Sequence, residues 1–126
     1  MGNHEAAEAL HRETVTALEE TLGTEHVTTL VATGRLARLL AERDRAVEAE
    51  DLFRRAAEGL ERILGADHLY TLDAVDGLAG ALVAQERYAD AEPLARRAAD
   101  GFRAALGDED DRTRAAEARL PIIADR

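Results

Sequence analysis

The chain has 126 residues, of which 46% are hydrophobic and 33% charged, and a formal net charge of −10. That length and balance suit one folded domain with a real core, whereas so acidic a surface, with its basic residues ungathered, argues against nucleic acid as a partner. With no Cys there are no disulfides or thiolate metal sites, and no stretch approaches the roughly 18 consecutive apolar residues of a membrane span.

Aromatics are only 3% and Trp is absent, so the core must be built from Leu, Ala, Val and Ile, and the abundance of Ala favours close helix–helix approach over a sheet. All 16 basic residues are Arg, a bias associated with bacterial proteins of GC-rich coding style. The start, Met1-Gly2-Asn3-His4-Glu5, has neither the basic nor the apolar run of a signal peptide. The expectation is a cytoplasmic protein that does not enter membranes.

Apolar periodicity predicts six helices in chain order, at about 4–21, 27–41, 46–63, 69–84, 88–105 and 109–120. Leu30, Thr33, Leu36, Ala37 and Leu40 follow helical spacing, as do Leu72, Val75, Leu78, Ala79 and Leu82. A polar break follows each set, and then a second stripe: Ala49, Leu52, Phe53, Ala56, Ala57 and Leu60, or Ala91, Leu94, Ala95, Ala98, Ala99 and Phe102. Gly23, Gly65 and Gly107 fall just past the second-type helices, where a left-handed residue is wanted. The Thr and Asp/Glu residues after them suit the start of the next helix.

The order repeats. Leu22-Gly23-Thr24-Glu25-His26-Val27-Thr28-Thr29-Leu30 returns 42 residues later as Leu64-Gly65-Ala66-Asp67-His68-Leu69-Tyr70-Thr71-Leu72, and an eroded third copy opens at Leu106-Gly107. Residues 22–63 and 64–105 share 18 identities in 42 ungapped positions. The chain therefore reads as a single domain over 1–126: a half-repeat helix (1–21), two full repeats (22–63, 64–105) and an eroded half-repeat cap (106–126). Pro121 stands where Ala37 and Ala79 stand in the full repeats, so the last helix is expected to break there, leaving Ile122 and Ile123 as a tail.

The pattern Leu-Gly-x-Asp/Glu-His-x-x-Thr-Leu, then Leu-Ala-x-x-Leu, then Arg87-Tyr88-Ala89-Asp90-Ala91-Glu92-Pro93-Leu94-Ala95-Arg96-Arg97-Ala98 resembles the tetratricopeptide repeat. More narrowly, it is similar to the 42-residue form of kinesin light chains and many bacterial proteins. The resemblance implies an all-α, right-handed α-α superhelix of antiparallel helix pairs, whose first-type helices line a concave groove that grips peptides or partner helices. Carried over by position, that groove shows Val31, Gly34, Arg35, Arg38, Ala41 and Glu42, then Asp73, Asp76, Gly77, Gly80, Val83 and Ala84, with Ala115 and Ala118 beyond. Family members commonly carry Asn before Leu-Ala, where it can bind a peptide backbone. Here that position is Arg35 and then Gly77.

Chemistry-bearing residues have plainer roles. His26 and His68 recur beside the helix-ending glycine, which points to a turn or cap. His4 and His11 are separated by roughly 10 Å of helix rise, too far to share a metal alone; His11 aligns with Phe53 and Ala95, a packing position. Of the pairs Arg54-Arg55 and Arg96-Arg97, Arg54, Arg55 and Arg96 follow Glu50, Asp51 and Glu92 by four residues, the order that favours helix ion pairs. Asp108-Glu109-Asp110-Asp111 suits a helix N-terminus by dipole. No phosphate loop, zinc motif or Ser of any kind is present, so no enzyme, cofactor or metal is expected. The expected function is a module binding a protein or peptide partner in an adaptor, scaffold or regulatory role, or else a scaffold self-assembling through its half-repeat ends, with a small-ligand sensor less favoured.

Overall fold

The computed structural model describes residues 2–125, so Met1 and Arg126 of the expected domain lie outside the described residues. Six helices follow one another: α1 (Gly2–Leu22), α2 (Val27–Glu42), α3 (Ala46–Leu64), α4 (Leu69–Ala84), α5 (Tyr88–Leu106) and α6 (Asp111–Ala124). No strand occurs among the described residues. Each helix packs on the next; in addition α2 packs on α4 and α4 on α6, while α1, α3 and α5 meet only through the long side chains of the ion pairs Arg12–Glu48 and Glu61–Arg97. That asymmetry bends the stack so that α2, α4 and α6 share the inner, concave side.

Small residues set the spacing. Ala37, Ala79, Ala49, Ala91, Ala56 and Ala98 are fully buried, so helix backbones approach where a longer side chain would hold them apart. Leu30, Leu40, Leu60, Leu72, Leu82 and Phe102 fill the space between, each worth about 1.5–3 kcal/mol of burial. Gly59 and Gly101, 42 residues apart, admit Leu30 and Leu72: a Cβ at either would stand 2.7 Å from a leucine methyl.

The histidines are caps. His26 Nδ1 accepts from the Thr28 N–H at 3.1 Å and His68 Nδ1 from the Tyr70 N–H at 3.0 Å; in the third copy Asp110 Oδ1 accepts from the Arg112 N–H at 2.9 Å. The expected acidic cap is thus present in the third copy as Asp110, whereas in the first two copies Thr24, Glu25 and Asp67 do not cap, because the turn places the residue three after each glycine at the helix start. Gly23, Gly65 and Gly107 have the expected positive φ, 93°, 94° and 87°. With ψ of 164° and 170°, Gly65 and Gly107 lie in the extended part of that half of the map, essentially reserved for glycine. The left-handed caps lie at Asp44 (φ 61°) and Glu86 (φ 59°), in the turns within each helix pair. There the Arg45 N–H reaches the Leu40 carbonyl and the Arg87 N–H the Leu82 carbonyl, closing α2 and α4.

Charge stitches one repeat to the next. Glu8 of α1 accepts from Arg43 and Arg45 in the turn after α2, and Glu50 of α3 accepts from Gln85 and Arg87 in the turn after α4. The Arg12 hydrogen bond, with Arg45 nearby, holds the Glu8 carboxyl below the usual carboxylate range, and the Gln85 hydrogen bond does the same for Glu50. The expected ion pairs Glu50–Arg54, Asp51–Arg55 and Glu92–Arg96 form at 2.9, 3.1 and 2.8 Å.

Pro121 does not end the last helix, which runs on to Ala124. No following helix covers the position that Ala37 and Ala79 occupy, so the exposed proline ring meets no neighbouring helix, at the cost of one backbone hydrogen bond. Ile123, buried against the core, holds the final turn down, while Ile122 is about half exposed.

Replacing His26 or His68 with Ala lowers stability by about 1 kcal/mol each, whereas replacing either with Asp, the third copy's choice, leaves it unchanged or raised. Thermal denaturation followed by circular dichroism at neutral pH distinguishes the two series.

Candidate functional site

The concave side carries a notch of about 400 Å³ between α2 and α4. Leu30, Phe53, Ala56 and Leu60 supply its apolar floor, Val31, Gly34 and Leu39 its α2 wall, and Tyr70, Asp73 and Ala74 its α4 wall. Arg35, Arg38, Glu42 and His11 stand at the rim. The notch exists because α2 lacks a side chain at Gly34, where an added Cβ would touch nothing closer than Ala56 Cβ at 4.0 Å.

The candidate groove residues divide. Val31, Gly34, Arg35, Arg38, Glu42 and Asp73 converge on the notch; Asp76, Gly77, Gly80 and Val83 do not line it. Gly77 is a packing gap. Its Cα faces the Phe53 ring of α3, and a Cβ there would meet Phe53 Cε1 at 2.2 Å. Gly80 leaves space for the Arg119 guanidinium, 3.3 Å from where its Cβ would be. Val83 and Ala41 pack partly against the core, Asp76 is held by Arg119 at 2.5 Å, and Ala84, Ala115 and Ala118 are exposed.

At the family's Asn position Gly77 faces the Phe53 ring, whereas Arg35, 42 residues earlier, lines the notch together with His11, the register equivalent of Phe53. His11 and Tyr70 were not among the expected groove residues; His11 was legible only as a packing position.

Charges lie in stripes: Arg35 and Arg38 on α2, Asp73 and Asp76 on α4, Arg112 and Arg119 on α6. Arg112 lies 3.8 Å from Asp73. Burial pushes the Asp73 carboxyl up, against the pull of Arg112 and Arg38 and with the push of Asp76. Thirteen of the described arginines, on both faces and in the turns, are in ion pairs. Arg35 and Arg38 are the only described arginines that are not, and both line the notch. No cluster of His, Asp and Glu suited to a metal occurs among the described residues.

A tetratricopeptide-repeat family profile matches residues 1–61 and, overlapping, 28–104. The chain belongs to the tetratricopeptide-repeat family. Repeats of this family generally mediate protein–protein interaction. None of the curated proteins matches the chain. No helix among the described residues is long and apolar enough to cross a membrane.

Two outcomes test the site's packing and electrostatics. Gly77→Ala destabilises by about 1–3 kcal/mol through overpacking, and most of that loss disappears in a Phe53→Ala background, which a double-mutant cycle measures. Because its folded pKa is raised, Asp73 favours the folded state only while protonated, and that contribution is lost as pH rises through the folded pKa. Asp73→Asn therefore raises the melting temperature at about pH 7, and the gain vanishes as pH falls below the ordinary aspartate value of about 3.9.

Proposed function

We propose that this chain is an interaction module that seats a segment of a partner protein in the α2–α4 notch, with an acidic side chain on Arg35 and Arg38 and an apolar side chain on the floor over Gly34. One observation carries the reading. In a protein of net charge −10 whose other described arginines are all neutralised locally, the two unpaired guanidiniums stand together beside an apolar recess. Unpaired cations over an apolar floor match a carboxylate next to a hydrophobic anchor. An adaptor or scaffold role, a cytoplasmic setting and kinship with the 42-residue kinesin-light-chain-like form fit this reading and belong to the same proposal.

Self-assembly through the ends is less well supported. On α6 the positions of Leu30 and Leu72 are held by Arg114, and those of Thr33 and Val75 by Glu117, so a following helix would meet charge. Arg114 and Glu117 are already paired, with Glu109 and Arg103.

Affinity capture from lysate, with the captured proteins quantified by mass spectrometry, tests the reading. Arg35→Glu/Arg38→Glu loses roughly tenfold or more of what the unmodified chain captures, through charge reversal at a site that acts on affinity and partner choice. Helicity stays unchanged, and capture by the unmodified chain weakens with added salt. Equal recovery of the same partners by the double variant would remove Arg35 and Arg38 from the site.

A further inference from the structure

The α4 stretch of the concave side is filled from within the chain. Arg119 of α6 reaches across and places its guanidinium 2.5 Å from Asp76 Oδ1 and 3.2 Å from the Asp76 backbone oxygen. Gly80, one turn further along α4, supplies the room, since a Cβ there would crowd the same guanidinium at 3.3 Å. The equivalent of Gly80 in the preceding repeat is Arg38, so a side chain is not excluded at this register by the repeat itself. One turn earlier on α4, Arg112 approaches Asp73 at 3.8 Å. Arg112 and Arg119 are seven residues apart, two helical turns, and so project from one face of α6.

We infer that Asp73, Asp76 and Gly80 form a guanidinium-accepting surface for a helix with two arginines seven residues apart, that α6 is its resident occupant, and that a partner helix of this chemistry takes the same seat when α6 yields it. The inference rests on the concave side being the binding side, but not on Arg35 and Arg38. Three features make α6 the occupant that can yield. It is the shortest helix, with 14 residues against 16 to 21 for the others. It carries Pro121, which cannot donate to the Glu117 carbonyl four residues earlier. And it has a neighbour on one side only among the described helices, with charged Arg114 and Glu117 where a second neighbour would pack. The α6 helix shows both halves of the recognition at once, since its arginines meet two carboxylates and its Ala116 lies buried between them.

The chemistry needed in a partner differs from that of the notch. Arg35 and Arg38 call for a carboxylate, whereas Asp73 and Asp76 call for a guanidinium, whose planar fork can bond a carboxylate oxygen and a backbone oxygen together. A segment bound along the whole concave side would then be acidic at the α2 end and basic at the α4 end.

The full chain is titrated with two labelled, end-capped alanine-rich peptides, one with two arginines seven residues apart and one in which glutamates replace those arginines, and binding is read by fluorescence anisotropy. Arg119→Ala, which frees Asp76 and Gly80 and weakens the hold of α6 on α4, is expected to bind the arginine peptide at least roughly tenfold more tightly than the unmodified chain, the gain expected where a charged competitor is removed from its site. Adding Asp76→Asn to Arg119→Ala abolishes that gain. Arg119→Gln, which keeps the packing of the side-chain stem, replaces Arg119→Ala if circular dichroism shows lost helix. Equal affinity of the folded Arg119 variant and the unmodified chain for the arginine peptide overturns the inference, and so does a gain that survives Asp76→Asn. The glutamate peptide reports on Arg35 and Arg38 in the same samples, so failure of the notch reading and failure of this one are told apart.

Discussion

Backbone approach through small side chains is the constraint on which this structure depends. Two helices can cross closely only where neither presents bulk, and Ala37, Ala49 and Ala56, with their counterparts 42 residues on, are fully buried at those crossings. Once they meet, the leucines between them must interlock. Leu30 and Leu72 do so by entering the spaces left by Gly59 and Gly101. Close approach of α2 to α4 and of α4 to α6 then gives the stack its inner side, where three successive first-type helices lie together.

From that geometry the charge pattern acquires meaning. Surface arginines in a strongly acidic chain find carboxylates with little difficulty, and most here do so within their own helix or across one repeat joint. Such exposed pairs, screened by solvent, add little each to stability. The exceptions are informative for the same reason. Arg35 and Arg38 lie over the notch that Gly34 opens, where Asp73 of the facing wall is also approached by Arg112 and is itself made reluctant to ionise by burial. On α4 the opposite holds: the acids are answered by α6, whose arginines cover the surface that Gly80 leaves bare. One concave side thus presents an open cationic half and a closed anionic half.

Much of the fold was legible before any coordinates, because a 42-residue identity pattern and helical spacing are properties of the chain order. The helix count, the pairings Glu50–Arg54, Asp51–Arg55 and Glu92–Arg96, and the capping role of His26 and His68 were all readable from position. Local physics modified three readings. The glycines after α3 and α5 take the expected positive φ but an extended ψ, and the left-handed helical caps fall on Asp44 and Glu86 within the pairs. The acidic cap is realised only at Asp110, the first two copies capping on the histidines. Pro121 remains helical because its ring projects where no neighbour packs and Ile123 anchors the turn beyond it.

The concave surface shows the division most clearly. Sequence alone determined that the chain is a tetratricopeptide-type helical repeat, which helices are of the first type, and which residues ride on them, since repeat register is carried by the spacing of small and apolar residues. Only the tertiary structure decided what each riding residue does. Gly34 opens a notch, Gly77 receives Phe53 and Gly80 receives Arg119, although all three are glycines on first-type helices. The reason is that a glycine specifies only an absence. What enters the space is set by the helix packed against it, and that helix lies dozens of residues away in the chain.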